Sequence, residues 1–166
     1  MVSLTLTHGP SYGSFVTIPR MGLTMNAGMS RFDPGSGLPN SVGPGKVPMV
    51  NMCPTLVLKD RDPFLTIGAS GGTRIPSSLF QVLTRRIVLD EDLPWAVSAP
   101  RVHSEGNEWV MMEEEFGEAA PEYLKTVGYT LRKGSAAANV RAIEVAESSE
   151  LIATLDPRLG GREKGY

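Results

Sequence analysis

The sequence predicts an α+β domain with largely antiparallel strand neighbours, and three observations carry that expectation. Two β-rich runs, MCPTLVLKD (52–60) and PFLTIGA (63–69), are joined by Arg61 and Asp62, which signals a hairpin. Between them and the next glycine-poor stretch, Ile75, Leu79, Val82, Leu83 and Ile87 fall at the spacing of one helix face. NVRAIEVAE (139–147) and ELIATLD (150–156) then form a second hairpin around Ser148 and Ser149. With 166 residues and 41% apolar content, residues 1–166 read as one domain with a core of its own.

The remaining elements follow in chain order. VSLTLT (2–7) alternates Val2, Leu4 and Leu6 on one face with Ser3, Thr5 and Thr7 on the other. It is expected to pair through the turn GPSYG (9–13) with SFVTI (14–18). A chain that enters a strand at its second residue reads as a fragment. A short apolar segment covers Gly22 to Met25, and Ser30 to Lys46 is so rich in Gly, Pro, Ser and Asn that it is a long loop, of the kind used as a functional lid or a linker. Pro76 is tolerated near the start of the helix over 75–88. A second helix over 92–99 stops at Pro100 and packs Trp95 inward. A strand over 108–113, a helix over 118–128 ending at Gly128, and a strand over 129–134 precede the terminal hairpin. The tail DPRLGGREKGY is polar and irregular.

Composition excludes several functions. Sixteen basic against 18 acidic residues, a formal charge of −2, leave no electrostatic footprint for nucleic acid or an anionic membrane. No run of about 18 apolar residues is present to span a bilayer. The first twenty residues lack the order of a secretory leader, and the compartment stays open. Cys53 is the single cysteine, so no intramolecular disulfide forms, and no Cys/His spacing suggests a metal; neither metal nor cofactor is expected.

The glycine-rich stretch GASGGTR (68–74), between a strand and a helix, raises the question of what its backbone touches. It lacks the Lys-Ser/Thr of a phosphate loop and the three-glycine spacing of a dinucleotide fingerprint. Successive amides at a helix N-terminus suit a carboxylate or a developing oxyanion, while an ordinary tight turn explains the same glycines. His103 could be built into a relay with Ser104 or Asp92, yet two histidines among many serines make such sets by chance. His8 carries no stronger signal. Cys53, at the start of an apolar strand, reads as a structural thiol. Glu113 to Glu115 read as a solvated acidic edge, and the eight methionines as core filling.

Taken in order, VSLTLT (2–7), GLTMN (22–26), PGSGLPNSVGPGKVP (34–48), NMCPTLVLKD (51–60), GASGGTRI (68–75), FQVL (80–83), APRVH (99–103), and DPR (156–158) near a terminal GY resemble the small subunit of γ-glutamyltranspeptidases, or glutathione hydrolases. These are N-terminal nucleophile hydrolases. The resemblance covers essentially the whole chain and implies part of an αββα sandwich. It also implies a mechanism: an N-terminal Thr exposed by self-cleavage attacks a γ-glutamyl amide, with its own α-amine as base, and the acyl group passes to water or an amino acid. Gly71 and Gly72 match the paired glycines of the family's oxyanion hole, and Thr7 a threonine that supports the nucleophile. The family's nucleophile lies a short strand upstream of VSLTLT, so it and the large subunit are expected to lie outside this chain, which would be inactive alone.

The departures fall on substrate recognition. Gly9 stands where the family has an Asn, Gly28 and Arg31 where a Gln or Glu and an Asp grip an α-amino acid head, and Val50 and Asn51 where a Ser pair stands. An Arg in place of an Asp reverses the charge facing an ammonium, an effect on the order of a few kcal/mol in a partly buried site. Asn51 retains a donor for a carboxylate. The run N-x-G-M-x-x-F-D-P (26–34) with NMCP resembles a divergent bacterial branch of the family. Two functions therefore compete: the small-subunit part of a γ-glutamyl or related acyltransferase or hydrolase, acting on a small-molecule amide with a large subunit, and a non-catalytic ligand- or partner-binding module that covers its open surface by self-association.

Overall fold

A computed structural model describes residues 1–10, 12–134 and 136–158; the leucine-to-tyrosine end of the expected irregular tail, 159–166, lies outside the described residues. The chain forms two compact units, Met1–Leu4 with Asn51 onward, and Thr5–Val50.

In the smaller unit, β1 (Thr17–Ile18) pairs antiparallel with β2 (Leu23–Thr24). SFVTI thus takes its partner from the Gly22–Met25 segment and not from VSLTLT. The chain reverses through Arg20 and Gly22, at φ 67° and 64°, a tight return that brings 14–18 beside 23–25. A 3₁₀ turn follows over Gly28–Arg31. The long loop after it is tied to itself: Lys46 Nζ donates to the Leu38 and Pro39 carbonyls at 3.4 and 3.2 Å, and Asn40 links the Arg31 carbonyl to the Met49 amide.

The larger unit is built on a four-stranded antiparallel sheet in the order β3-β4-β8-β9, from β3 (Thr55–Lys59), β4 (Asp62–Ser70), β8 (Asn139–Val145) and β9 (Leu151–Leu155). Both expected hairpins form. The first turn is one residue earlier than expected: Asp60 and Arg61 are the two left-handed residues, φ 54° and 77°, and Asp62 already pairs with Lys59. A two-residue turn with both φ positive matches the twist of the strands it joins, which fixes that position. β4 is an interior strand with both backbone edges taken, so Met1–Leu4 cannot add to the ladder. Among the described residues that segment hydrogen-bonds to β4 through hydroxyls, Ser3 Oγ donating to the Ile67 carbonyl at 3.2 Å and Thr66 Oγ1 to the Val2 carbonyl at 3.4 Å. Its polar Ser3 is the half-buried residue, while Val2 and Leu4 are 79% and 73% exposed.

α1 (Arg74–Leu83) lays Ile75, Leu79 and Val82 on the sheet against Leu65, Ile67, Val140 and Ala142. Complete burial of one such side chain is worth about 1.5–3 kcal/mol. The helix continues as a π turn over Thr84–Val88, and the widened turn leaves Ile87 half exposed instead of on the core stripe. α2 (Leu93–Ser98) is capped by Asp92, whose carboxylate accepts from the Trp95 amide at 2.8 Å. It buries Leu93, Ala96 and Val97, spaced i, i+3, i+4; Trp95, two residues after Leu93, falls on the opposite face and is 53% exposed, correcting the inward packing expected of it.

A second sheet, β5-β6-β7, contains β5 (Val102–His103), β6 (Trp109–Met112) and β7 (Thr130–Lys133). β6 and β7 are parallel, a departure from antiparallel neighbours, because α3 (Ala119–Thr126) carries the chain back between them. No helix among the described residues is long and apolar enough to cross a membrane.

Candidate active site

β4 ends at Ser70, and Gly71, Gly72 and Thr73 lead into α1. Both glycines are required, for different reasons. A Cβ on Gly71 would lie 2.6 Å from the Cβ of Ala138, the residue before β8, so the backbone approaches closer there than a side chain permits. Gly72 has open space around it but a φ of 65°, a left-handed turn that glycine makes without cost. The Gly72 carbonyl is held by the Ile75 amide at 3.2 Å and by Asn51 Nδ2. Among the described residues no hydrogen bond occupies the amides of Gly71 or Gly72. The result is a pair of backbone amides at the N-terminal end of a ten-residue helix, with the Gly72 carbonyl held and, among the described residues, neither N–H taken.

Thr73 sits at the N-cap of α1 in helical conformation and makes no side-chain cap. Its hydroxyl donates instead to Glu105 Oε1 at 2.6 Å. Glu105 is held below the usual carboxylate range, first by that hydroxyl and then by His103. His103, 4% exposed, has Nε2 at 3.5 Å from Glu105 Oε1 and Nδ1 at 2.8 Å from Ser77 Oγ on the first turn of α1. The relay weighed for His103 is therefore not formed: Ser104 Oγ donates to the Trp109 carbonyl and Asp92 caps α2. Ser77 lies inside a helix, its hydroxyl also 3.1 Å from the Arg74 carbonyl, and so serves as an anchor for the ring.

The other expected site residues divide between the units. Asn51, Gly71 and Gly72 belong to the larger one; Thr7, Gly28, Arg31 and Val50 to the smaller. Thr7 Oγ1 accepts from the Gly9 amide at 3.0 Å. Gly28 and Arg31 open and close a single 3₁₀ turn, the Gly28 amide donating to Asn26 Oδ1 at 2.9 Å, and the Val50 side chain is half exposed. Cys53 is half-buried with Thr55 Oγ1 at 3.7 Å. The described residues hold no cluster of three His, Cys, Asp or Glu fit for a metal.

Sequence reasoning missed how APR and DPR meet. Arg101, 1% exposed, donates to the Ala138 carbonyl at 2.7 Å, to the Val97 carbonyl, and to Asp156 Oδ2 at 2.9 Å. Asp156 also accepts from the Val140 amide at 3.1 Å and from Arg158, which forks onto Glu113 at 2.8 and 2.6 Å. Glu113 is thus part of an interior ion network, not of a solvated edge. Burial pushes the Asp156 carboxyl up, but the Val140 amide, Arg158 and Arg101 together outweigh it and hold it below the ordinary aspartate value. Burial lowers the Arg101 guanidinium, with Arg158 adding repulsion, against the attraction of Asp156. The sequence signal was an Arg beside a Pro in each motif, too short for any periodicity to pair them.

A family model described as Gamma-glutamyltranspeptidase matches residues 1–166. The glutathione hydrolase proenzyme of Escherichia coli (strain K12) is 28% identical over 171 residues, covering 95% of this chain and 29% of that protein. That of Bacillus subtilis (strain 168) is 36% identical over 104 residues, covering 63% of this chain and 18% of its own length. The chain thus spans less than a third of either proenzyme. Among solved structures, the γ-glutamyltranspeptidase of Pseudomonas nitroreducens complexed with L-DON has a TM-score of 0.84 at 29% identity, covering 99% of this chain and 93% of that one. A Helicobacter pylori γ-glutamyltranspeptidase mutant gives 0.82 at 30%, covering 95% and 93%. The fold is accordingly α+β, the small-subunit part of an N-terminal nucleophile hydrolase sandwich. A whole-length family match, a one-to-one overlay on one chain of solved transpeptidases and the ordered motifs lead to one statement: this chain belongs to the γ-glutamyltranspeptidase family.

Proposed function

We propose that this chain is the oxyanion-bearing part of an enzyme that transfers or hydrolyses γ-glutamyl or related acyl amides. The observation that carries the reading is the Gly71–Gly72 pair: two amides at the start of α1 that no hydrogen bond among the described residues engages, with the Gly72 carbonyl held by Asn51. In this reading an N-terminal Thr hydroxyl, supplied by the family's self-cleaved precursor, attacks the amide carbonyl and its α-amine takes the proton. The carbonyl oxygen gains charge in the tetrahedral state, and the Gly71 and Gly72 amides donate to it. The amine leaves with a proton, and water or an amino acid attacks the acyl-enzyme in turn. Thr7 supports the nucleophile, and Gly28, Arg31, Val50 and Asn51 are the residues assigned to recognition of the substrate's amino acid head. Arg31 favours an acidic or neutral head over an ammonium, since a like charge there is repelled.

The family's large subunit is the proposed partner. Val2 and Leu4 are 79% and 73% exposed, apolar side chains on a segment whose polar Ser3 bonds to β4. The test is turnover of γ-glutamyl-p-nitroanilide by the 166-residue chain alone and after co-expression with a large subunit that brings the Thr-led segment. Turnover only in the second case supports the reading. Turnover by the chain alone refutes the assignment of the nucleophile.

A further inference from the structure

We infer that Glu105 is a positioning residue for the Gly71–Gly72 donor pair, acting through Thr73; this rests on reading that pair as the oxyanion site. A threonine at a helix N-cap ordinarily accepts from the first amides of its helix. Thr73 does not: it has helical backbone angles, φ −62° and ψ −17°, and its hydroxyl donates away from α1 to Glu105 at 2.6 Å. Glu105 is in turn 3.5 Å from a ring nitrogen of buried His103, whose other nitrogen is 2.8 Å from Ser77 on the same helix. The chain of contacts leaves α1 at Thr73 and returns to it at Ser77. It closes a ring around the first turn, with His103 fixed by β5 and Glu105 projecting from the connection after it.

This ring completes the restraint of the turn. Gly71 is pressed against Ala138, the Gly72 carbonyl is held by Asn51 and Ile75, and Thr73 is fixed by Glu105, so successive residues have separate anchors. The direction of the Gly72 N–H depends on the peptide planes on either side of it. Release at Thr73 frees the plane that follows, and an oxyanion donor misdirected by a fraction of an ångström loses much of its value in the transition state.

The test uses the full chain and four variants: Glu105→Ala, Glu105→Gln, Thr73→Ala and Thr73→Ser. Amide chemical shifts and hydrogen exchange of Gly71 and Gly72 read the loop without requiring turnover, and the melting temperature reports folding. Glu105→Ala and Thr73→Ala are expected to move both glycine amides. Glu105→Gln keeps the acceptor, Thr73→Ser keeps the donor, and both restore the wild-type spectrum. In an active assembly the Ala variants lower kcat about tenfold to a hundredfold with KM within about twofold, and the double Ala variant is no worse than either single one. Unchanged glycine amides in Glu105→Ala, or a Gln variant as damaged as the Ala variant, overturn the inference. An assembly inactive even as wild type sinks the proposed function, while the amide readout still decides the role of Glu105.

Discussion

The Arg101–Asp156–Arg158–Glu113 network and the Gly71–Thr73 turn lie in the same unit and use polar groups in opposite ways. In the network two cations meet two carboxylates and a series of carbonyls, and Asp156 alone takes donors from Arg101, Arg158 and the Val140 amide. In the turn, the hydrogen bonds fall on the Gly72 carbonyl and the Thr73 side chain, and among the described residues the two glycine amides are left out of the bonding. The first arrangement consumes its hydrogen-bonding capacity to hold strands and loops together. The second holds its backbone still while leaving donors for something else to meet, which is the arrangement the proposed oxyanion role requires.

The contrast can be broken most severely at Asp156. Asp156→Ala leaves the Arg101 guanidinium buried with its carboxylate gone, and is expected to cost about 3–5 kcal/mol in urea unfolding. A loss under about 1 kcal/mol would mean that the network is not a structural clasp. Its pH signature follows from the sign of the shift. The Asp156 carboxyl is depressed in the folded chain, so its contribution is complete above the unfolded value of about 3.9 and is lost as pH falls through the lower folded value. The urea midpoint should therefore fall with acid below about pH 4, and Asp156→Asn should flatten that portion of the curve.

Gly71→Ala comes next. Its methyl would meet Ala138 at 2.6 Å, and overpacking of this kind costs about 1–3 kcal/mol. In an active assembly the displaced donor should lower kcat by about a hundredfold while KM changes little. A raised KM with kcat unchanged would instead assign Gly71 to substrate binding. The smallest effect is expected far from either region: Asp92→Ala removes the cap of α2 and costs about 1 kcal/mol by thermal unfolding, with no change at the glycine amides.

The sequence made the larger unit legible because its signals are periodic. The 3.6-residue spacing of Ile75, Leu79 and Val82, and the two hairpins, correspond to burial in a sheet with one covered face. Where the pattern was short, competing physics decided. VSLTLT alternates like a strand, yet β4 had no free edge to offer it. Trp95 was expected to pack inward, and helix geometry turned it outward. For the site, the turn at Gly71 and Gly72 was visible because glycine is the residue such a backbone needs. Glu105 was not, because its partners Thr73 and His103 meet it only after α1 and β5 have packed. The pairing of APR with DPR was hidden for the same reason, Arg101 and Asp156 being 55 positions apart.

Ala138 stands at the junction of these two regions. Its methyl faces Gly71, its carbonyl accepts from Arg101 at 2.7 Å, and its amide donates to Ser78 Oγ at 2.8 Å. Across that contact one side is already glycine, the smallest residue available, so no further reduction there can make room for growth at 138. The position can hold alanine or shrink to glycine, and any larger residue must move either the turn or the guanidinium. A single methyl group thereby sets how far this part of the chain can drift in sequence while keeping both its fold and its donors.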